Sequence, residues 1–454
     1  MPIRARTTRM TLLATAVWAI MFTTPPSAVA TPRNTPPPER SLSQPFRHDT
    51  EGYACYRIPA IVTTTAGTLL AFAEARVADC ADIGDIDLVV KRSTDGGRTW
   101  GELTVLRGDL DAGGYGNPVP VVDAESGLVT LMYAYNTWTP KPDDVRSRGP
   151  RSLSLLHSED DGLTWRAGAP LRGLKPASWT WISVGPGHGI QLQRGEHAGR
   201  LVVAGDHDTT GDRSGGQLYY SDDGGLSWRL GAVWETVEEL PNPAELSLVE
   251  RVDGTLYINA RGLDNVRLAA YSEDAGESFT PAGFREVRDL DTPPVSGSLL
   301  RLTATDVGDD RDRVLLSAPT RPGEQVGSRR RIMTIRSSYD EGRTWHTVGT
   351  VITPARAGYS DLTLLPSGEI GLLYETGRHS PHGALNFTAF TELSLDAGRR
   401  ELTLPDIVGC PVARQRPTET VAPTRYGRLD PARLTSLAST VTAVNIRYGK
   451  RDLR

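Results

Sequence analysis

The chain has 454 residues, 38% of them hydrophobic, with a formal net charge of −5 at neutral pH. That balance argues against a nucleic-acid binder, which carries a basic surface. Its 46 glycines and 32 prolines are scattered between short apolar runs, unlike the concentrated Gly and Pro of a disordered chain.

The first segment carries Arg4, Arg6 and Arg9, then an apolar run over 10–22, then Ser27-Ala28-Val29-Ala30. A basic head, a short apolar core and an Ala-x-Ala site predict a signal peptide over 1–30, cut after Ala30, and a secreted protein. The run is too short to anchor the chain across a bilayer, and no later run is long enough, so no membrane span is expected. Residues 31–44 are proline-rich and polar and read as an extended lead-in.

From Phe46 onward the chain alternates short apolar runs with Gly, Pro, Asp and Asn, as at 60–63, 69–72, 128–133, 201–203, 256–258 and 314–316. None of them sustains a 3.6-residue period, which predicts an all-β fold. An octad, Ser-x-Asp-x-Gly-x-Thr/Ser-aromatic, recurs at 93–100, 158–165, 221–228, 272–279 and 338–345. The spacing leaves room for about four strands per repeat, the size of a propeller blade. Five copies plus one blade without the octad predict a six-bladed β-propeller over 45–405, followed by a basic extension over 406–454. Within that extension the apolar stretch 434–446 is ambiguous between helix and strand.

The octad aspartates Asp95, Asp160, Asp223, Asp274 and Asp340 recur once per blade, so they cannot all sit in one site. Each is expected to accept backbone N–H groups and fix a tight turn, with Gly supplying an unusual backbone angle and the aromatic ring packing beneath. Three cysteines, Cys55, Cys80 and Cys410, cannot all pair. A Cys55–Cys80 bridge would staple the loop that leads to Asp82 and leave Cys410 unpaired; two unrelated buried thiols are the alternative.

Candidates for chemistry come from widely separated places, as a propeller axis requires. Arg57, Arg261 (in Asn259-Ala260-Arg261) and the run Ser328-Arg329-Arg330-Arg331 offer guanidiniums whose planar forks suit a permanently ionised carboxylate. For any one of them alone, a surface ion pair is the simpler role. In Asp82-Ile83-Gly84-Asp85-Ile86-Asp87 the first two aspartates cannot share a strand face, and Gly84 favours a loop; Asp85 and Asp87 then begin the next strand. Glu250 stands beside Arg251 and reads as an exposed ion pair. His188 and His207 are isolated and read as structural, and tryptophans such as Trp179 and Trp181 at strand ends usually pack. No His/Cys cluster has zinc spacing and no Gly-rich loop opens a helix, so neither metal nor cofactor is expected.

Tyr56-Arg57-Ile58-Pro59 near the start of the domain, followed by the octads, resembles the bacterial exo-α-sialidase (neuraminidase) family with its Asp-boxes, over about residues 48–395. The resemblance implies that Arg57, Arg261 and Arg330 clamp the C1 carboxylate of sialic acid, Arg330 being chosen for its spacing before Thr334-Ile335-Arg336. It implies Asp82 as acid/base, Tyr359 as nucleophile and Glu245 as the base that activates it. Arg76 would touch the C4 side of the sugar, and Asn117, where some relatives carry an aspartate, would wall the pocket with the segment from Trp179 to Gly189. The implied reaction is hydrolysis of terminal α-linked sialic acids from glycoproteins, glycolipids or oligosaccharides, with retention of configuration; separately, a monomer is expected. Trans-sialidases and non-catalytic sialoglycan-binding propellers are the alternatives. Octads fit a binder equally well; Asp82, Glu245 and Tyr359 fit it poorly.

Overall fold

The computed structural model describes residues 41–108, 113–137, 151–210, 213–236, 242–262, 266–320 and 330–397. The signal-peptide segment, the extension over 406–454, Cys410 and Arg329 lie outside the described residues. Four antiparallel-dominated sheets account for nearly all of the rest. One runs β2 (Cys55–Thr63), β3 (Leu69–Arg76), β4 (Ile86–Ser93), β6 (Gly113–Val122), β7 (Val129–Thr137), β8 (Arg151–Ser158) and β9 (Arg166–Ala167), with β5 (Thr104–Arg107) on β4. A second runs β10 (Trp179–Val184), β12 (Leu201–Thr209), β13 (Ser214–Ser221) and β14 (Arg229–Glu235), with β11 (Ile190–Gln191) on β12. A third holds β15 (Ala244–Glu250), β16 (Leu256–Arg261), β17 (Arg267–Ser272) and β18 (Arg285–Val287). The last joins β19 (Ser298–Thr303), β20 (Arg313–Thr320), β21 (Arg331–Ser338), β22 (Thr350–Leu364), β23 (Ile370–Gly377) and β24 (Ala384–Phe390) to β1 (Ser41–Arg47). The chain is therefore all-β, with one short α-helix, α1 (Glu392–Ala397), and a single 3-10 turn over Thr305–Val307 among the described residues, and no described helix is long and apolar enough to cross a membrane.

Every residue of β3 is buried. Its apolar run over 69–73 reflects a sheet covered on both faces, where period-2 alternation disappears. Leu192, Val202 and Leu218 of one sheet pack on Leu246, Ile258 and Leu268 of the next. Val119, Met132 and Leu155 pack likewise on Ile182, Leu201 and Tyr219. Inner strands of neighbouring sheets also touch in a ring: β2 lies against β6 and β22, β6 against β10 and β12, β12 against β15, β15 against β19, and β19 against β22. Strand β1 starts at Ser41, inside the stretch read as lead-in, and its Phe46 packs with Leu385 and Phe387. Face-to-face stacking of sheets with their first strands inward is the arrangement of a β-propeller.

The octads fold as the sequence predicts. Each serine Oγ accepts the backbone N–H of the octad glycine, as from Gly97 to Ser93 and Gly342 to Ser338, both at 2.9 Å. Each aspartate accepts the backbone N–H two residues past that glycine, at 3.0 Å for Thr99 on Asp95 and 2.9 Å for Thr344 on Asp340. The octad glycines lie at positive φ, 83° at Gly97 and 95° at Gly225, where a side chain would be strained.

Glu250 departs from its expected role. It is buried, not exposed, and it pairs with Arg194 (2.9 Å) while accepting the backbone N–H groups of Gln193 and Arg194. Arg251 turns instead to Asp253, at 3.0 Å. Parity along β15 explains this, since a one-residue step reverses the face a side chain takes.

Candidate active site

The site is built on β-bulges. The register of β2 shifts between Arg57 and Ala60, of β6 between Gly116 and Val119, of β15 between Ala244 and Leu246, and of β22 between Ala357 and Ser360. Inside these bulges Ile58, Asn117 and Glu245 take positive φ values of 55°, 51° and 48°. Such non-glycine conformations cost roughly 1–3 kcal/mol each and persist only where neighbours hold them. A bulge re-aims the side chain at its crest, which is why it suits a site.

Buried carboxylates do the holding. Glu375 Oε1 accepts the Ile58 backbone N–H and the Arg57 Nε, both at 3.1 Å, while its Oε2 accepts the Tyr359 N–H at 3.0 Å. Gly358 is obligatory beside it, because an added Cβ would stand 2.0 Å from Glu375 Oε2. Glu74 Oε1 accepts the Asn117 N–H at 2.9 Å, and its Oε2 holds Arg76 Nη2 at 2.5 Å. The backbone N–H of Glu245 faces the carboxyl of Asp206.

Three guanidiniums surround one ring. Arg57 Cζ lies 5.5 Å and Arg330 Cζ 5.1 Å from the centre of the Tyr359 ring, and Arg261 Nη1 reaches its hydroxyl at 3.3 Å. Arg330 is steadied by a 2.9 Å bond to the Pro294 carbonyl. The Tyr359 hydroxyl donates to Glu245 Oε1, which also accepts Arg261 Nη1 at 2.8 Å. Burial and then the Glu245 charge push the phenol pKa up, against the pull of Arg330, Arg261 and Arg57. This phenol stays protonated until a base takes its proton.

Asp82 stands on the loop between β3 and β4 with its side chain 78% exposed. Its Oδ1 accepts Arg57 Nη1 and Arg76 Nη1, each at 2.8 Å. The pocket walls act to raise its pKa, but Arg76 and then Arg57 outweigh them and hold the carboxyl below its usual range. The Cys55–Cys80 disulfide is present, and Arg76 Nη1 also bonds the Cys80 carbonyl at 2.6 Å, so the loop is tied on both sides. His48 lies against this bridge, whose sulfurs are committed to each other and do not serve a metal.

Seven of the eight residues singled out in the sequence thus meet around Tyr359 or on the Asp82 loop. Asn117 serves mainly as a tie, with its Nδ2 donating to Ser183 Oγ and the Val184 carbonyl at 2.9 Å each. Trp179 packs flat on His207, 3.7 Å between centroids, and Trp181 lies under Arg151. His188 bonds Asp361 at 2.8 Å, and Asp361 also receives Ile61 N and Ser298 Oγ, joining three strands below the site. Glu74, Asp206, Glu375 and His382 were not singled out. For Glu74 and Glu375 the signal was an acid inside an apolar run, Phe72-Ala73-Glu74-Ala75 and Leu373-Tyr374-Glu375.

Stacked sheets, octad turns and a ring of bulged inner strands define a protein of the BNR repeat-like class, and that domain family matches residues 67–372. The chain belongs to the BNR-repeat sialidase family. It is 32% identical to a sialidase of Micromonospora viridifaciens over 79% of this chain and 54% of that protein, so it spans about half the length of that relative. It is 31% identical to an exo-alpha-sialidase of Aspergillus fumigatus over 72% of this chain and 79% of that protein. Among solved structures, a Hadza microbial sialidase superposes with a TM-score of 0.66 at 26% identity, covering 78% of this chain and 69% of that one. An intramolecular trans-sialidase from Ruminococcus gnavus shares the fold, with a TM-score of 0.62 at 20% identity over 76% of this chain and 96% of that one.

Proposed function

We propose that the chain is a secreted exo-α-sialidase that removes terminal α-linked sialic acids from glycoproteins, glycolipids or oligosaccharides with retention of configuration. The observation that carries this reading is the Tyr359–Glu245 pair set inside three arginines and faced by a loop carboxyl. The relatives named sialidases support it. The anomeric carbon of a sialoside already bears a carboxylate, so an anionic Asp or Glu would approach it against like charge. A neutral phenol avoids that repulsion if its proton leaves as it attacks, the exception to the two-carboxylate scheme known for sialidases.

In this mechanism Arg57, Arg261 and Arg330 take the substrate carboxylate. The Tyr359 oxygen bonds to the anomeric carbon and its proton passes to Glu245 Oε1. Asp82 gives a proton to the departing oxygen, then takes one from the water that releases the sugar. Arg57 now pairs with Asp82. A carboxylate bound on Arg57 would draw off part of that charge and ease protonation of Asp82, as a general acid requires.

Six blades follow if two junctions are divided. Strands β4 and β6 join through a single parallel pair, Ile86 with Gly114. Strand β22 pairs with β21 up to Arg356 and with β23 from there on. Division there leaves six antiparallel units led by β2, β6, β10, β15, β19 and the second half of β22, the last closed by β1.

Transfer to an acceptor other than water and glycan binding without catalysis are the competing readings. Purified protein should release free sialic acid from an aryl sialoside, and the first product seen by NMR should be the α anomer. Glycan binding with no release between acid and neutral pH would overturn the hydrolase; β anomer first would overturn the tyrosine mechanism.

A further inference from the structure

Among the buried carboxyls that face bulge N–H groups, Asp206 is the odd member. Glu74 and Glu375 use both oxygens, each with one on an arginine and the other on a backbone N–H. Asp206 is 9% exposed, yet its Oδ1 has no hydrogen-bond partner among the described residues. Glu245 shows the same defect on its second oxygen: Oε1 serves Tyr359 and Arg261, while Oε2 is buried without a partner. Asp206 sits on β12, which packs on β15, and the backbone N–H of Glu245 faces its carboxyl. An orphaned buried oxygen costs more than a poor bond, and one proton held between the two carboxyls on these packed strands would satisfy both oxygens.

We propose that Asp206 is a positioning residue whose carboxyl holds a proton toward Glu245 Oε2, so that Oε1 stays turned to the Tyr359 hydroxyl. This rests on the catalytic reading above. The bonds balance simply: the proton leaving Tyr359 goes to Oε1, and the Asp206 proton remains on the pair throughout. Charged and titratable groups near Asp206 are Glu245, Arg151, Asp208 on its own strand, Arg261 and the Tyr219 phenol. Burial, then Glu245, against Arg151, push the Asp206 carboxyl up to about 7, so the proton is present in acid and lost as pH rises through neutrality. Two facing carboxylates would then repel, and Oε1 would lose its fixed orientation.

The test pairs Asp206→Asn with Asp206→Ala. The amide keeps an N–H for Oε2 and an acceptor for the Glu245 N–H, so kcat should stay within a few-fold of wild type, and its fall above neutral pH should move to higher pH or vanish. Alanine should cost about ten- to a hundredfold in kcat with KM nearly constant, the loss expected when a buried partner is left unsatisfied. A merely structural role would lower stability in both variants and leave the pH profile where it is. Infrared difference spectra of wild type against Asp206→Asn supply a readout independent of turnover. They should show a protonated carboxyl in mildly acidic solution that disappears above neutrality. Absence of that band, or an unshifted alkaline limb in Asp206→Asn, overturns the proposal. A band in a protein that never cleaves sialosides would leave it standing and overturn the catalytic reading.

Discussion

The two ends of the strands solve the same problem, a sharp change of chain direction, by opposite means. At one end, each octad satisfies its own turn: Asp95 bonds Thr99, and Asp340 bonds Thr344, all within five residues. Register places the site at the other end, since Arg76 pairs with Cys55 and with Ile86, while Leu69 pairs with Thr63 and with Ser93. There the bulges are held from afar, Glu375 reaching Arg57 across 318 residues of sequence and Glu245 reaching Tyr359 across 114. Self-sufficient turns can be repeated around a ring with little regard to one another. The site has no such autonomy, and its geometry exists only once several sheets have stacked.

The contrast breaks most sharply at Tyr359. Tyr359→Phe removes one oxygen and leaves the ring between Arg57 and Arg330, so turnover of an aryl sialoside should fall on the order of 10²–10⁴-fold while binding of a non-hydrolysed inhibitor survives. Retained turnover would leave the phenol a packing group. Next in size is Arg330→Ala, which should weaken inhibitor binding by about 2–5 kcal/mol, because a charged ligand group loses its partner in a half-buried site. Calorimetric titration with Arg331→Ala alongside checks the register; a crippled Arg331→Ala with a sound Arg330→Ala places the clamp one residue on.

At the other end, Asp340→Ala should cost stability and no chemistry. Loss of the hydrogen bonds from Ser338, Thr344 N and Thr344 Oγ1 should lower stability by about 1–3 kcal/mol, read as a lower Tm, with kcat/KM held. A selective loss of kcat/KM without a change in Tm would mean that the octads do more than fold.

The smallest effect is also the most discriminating. His382 is pushed down to about 4 by burial first and then by Arg57, against Glu375. The unfolded chain therefore takes up that proton first, and stability should decline as pH falls from about 6.5 to about 4. Asp95 is held down to about 2 by Thr99, so its contribution is intact above the ordinary aspartate range and fades only as pH falls from about 4 toward 2. Melting curves should show two acid windows, and His382→Gln should flatten the first while leaving the second.

How much of this was legible follows the same divide. The octads and the all-β pattern could be read because their physics is local, a few residues recurring with a fixed chemistry. The Tyr-Arg-Ile-Pro step and the arginine run carried the clamp and, through family resemblance, the pairing of Glu245 with Tyr359. Asp206 was invisible, because nothing in Ala204-Gly205-Asp206-His207 says that a neighbouring strand will present Glu245 to it. Glu250 was misread for the same reason: its neighbour in sequence, Arg251, is not its neighbour in space.

Closure of the ring by β1 has a consequence in time. Strand β1 pairs with β24, so that Gln44 meets Asn386 across 342 residues of chain. At ribosomal rates of about 5–20 residues per second, roughly 20–70 s separate the synthesis of the two strands. For that interval the first strand has no partner, and the edge it will cover does not yet exist. The chain must keep β1 unspent until β24 is made, so a delay or truncation before β24 would leave two exposed edges far apart in sequence, β1 as well as β23.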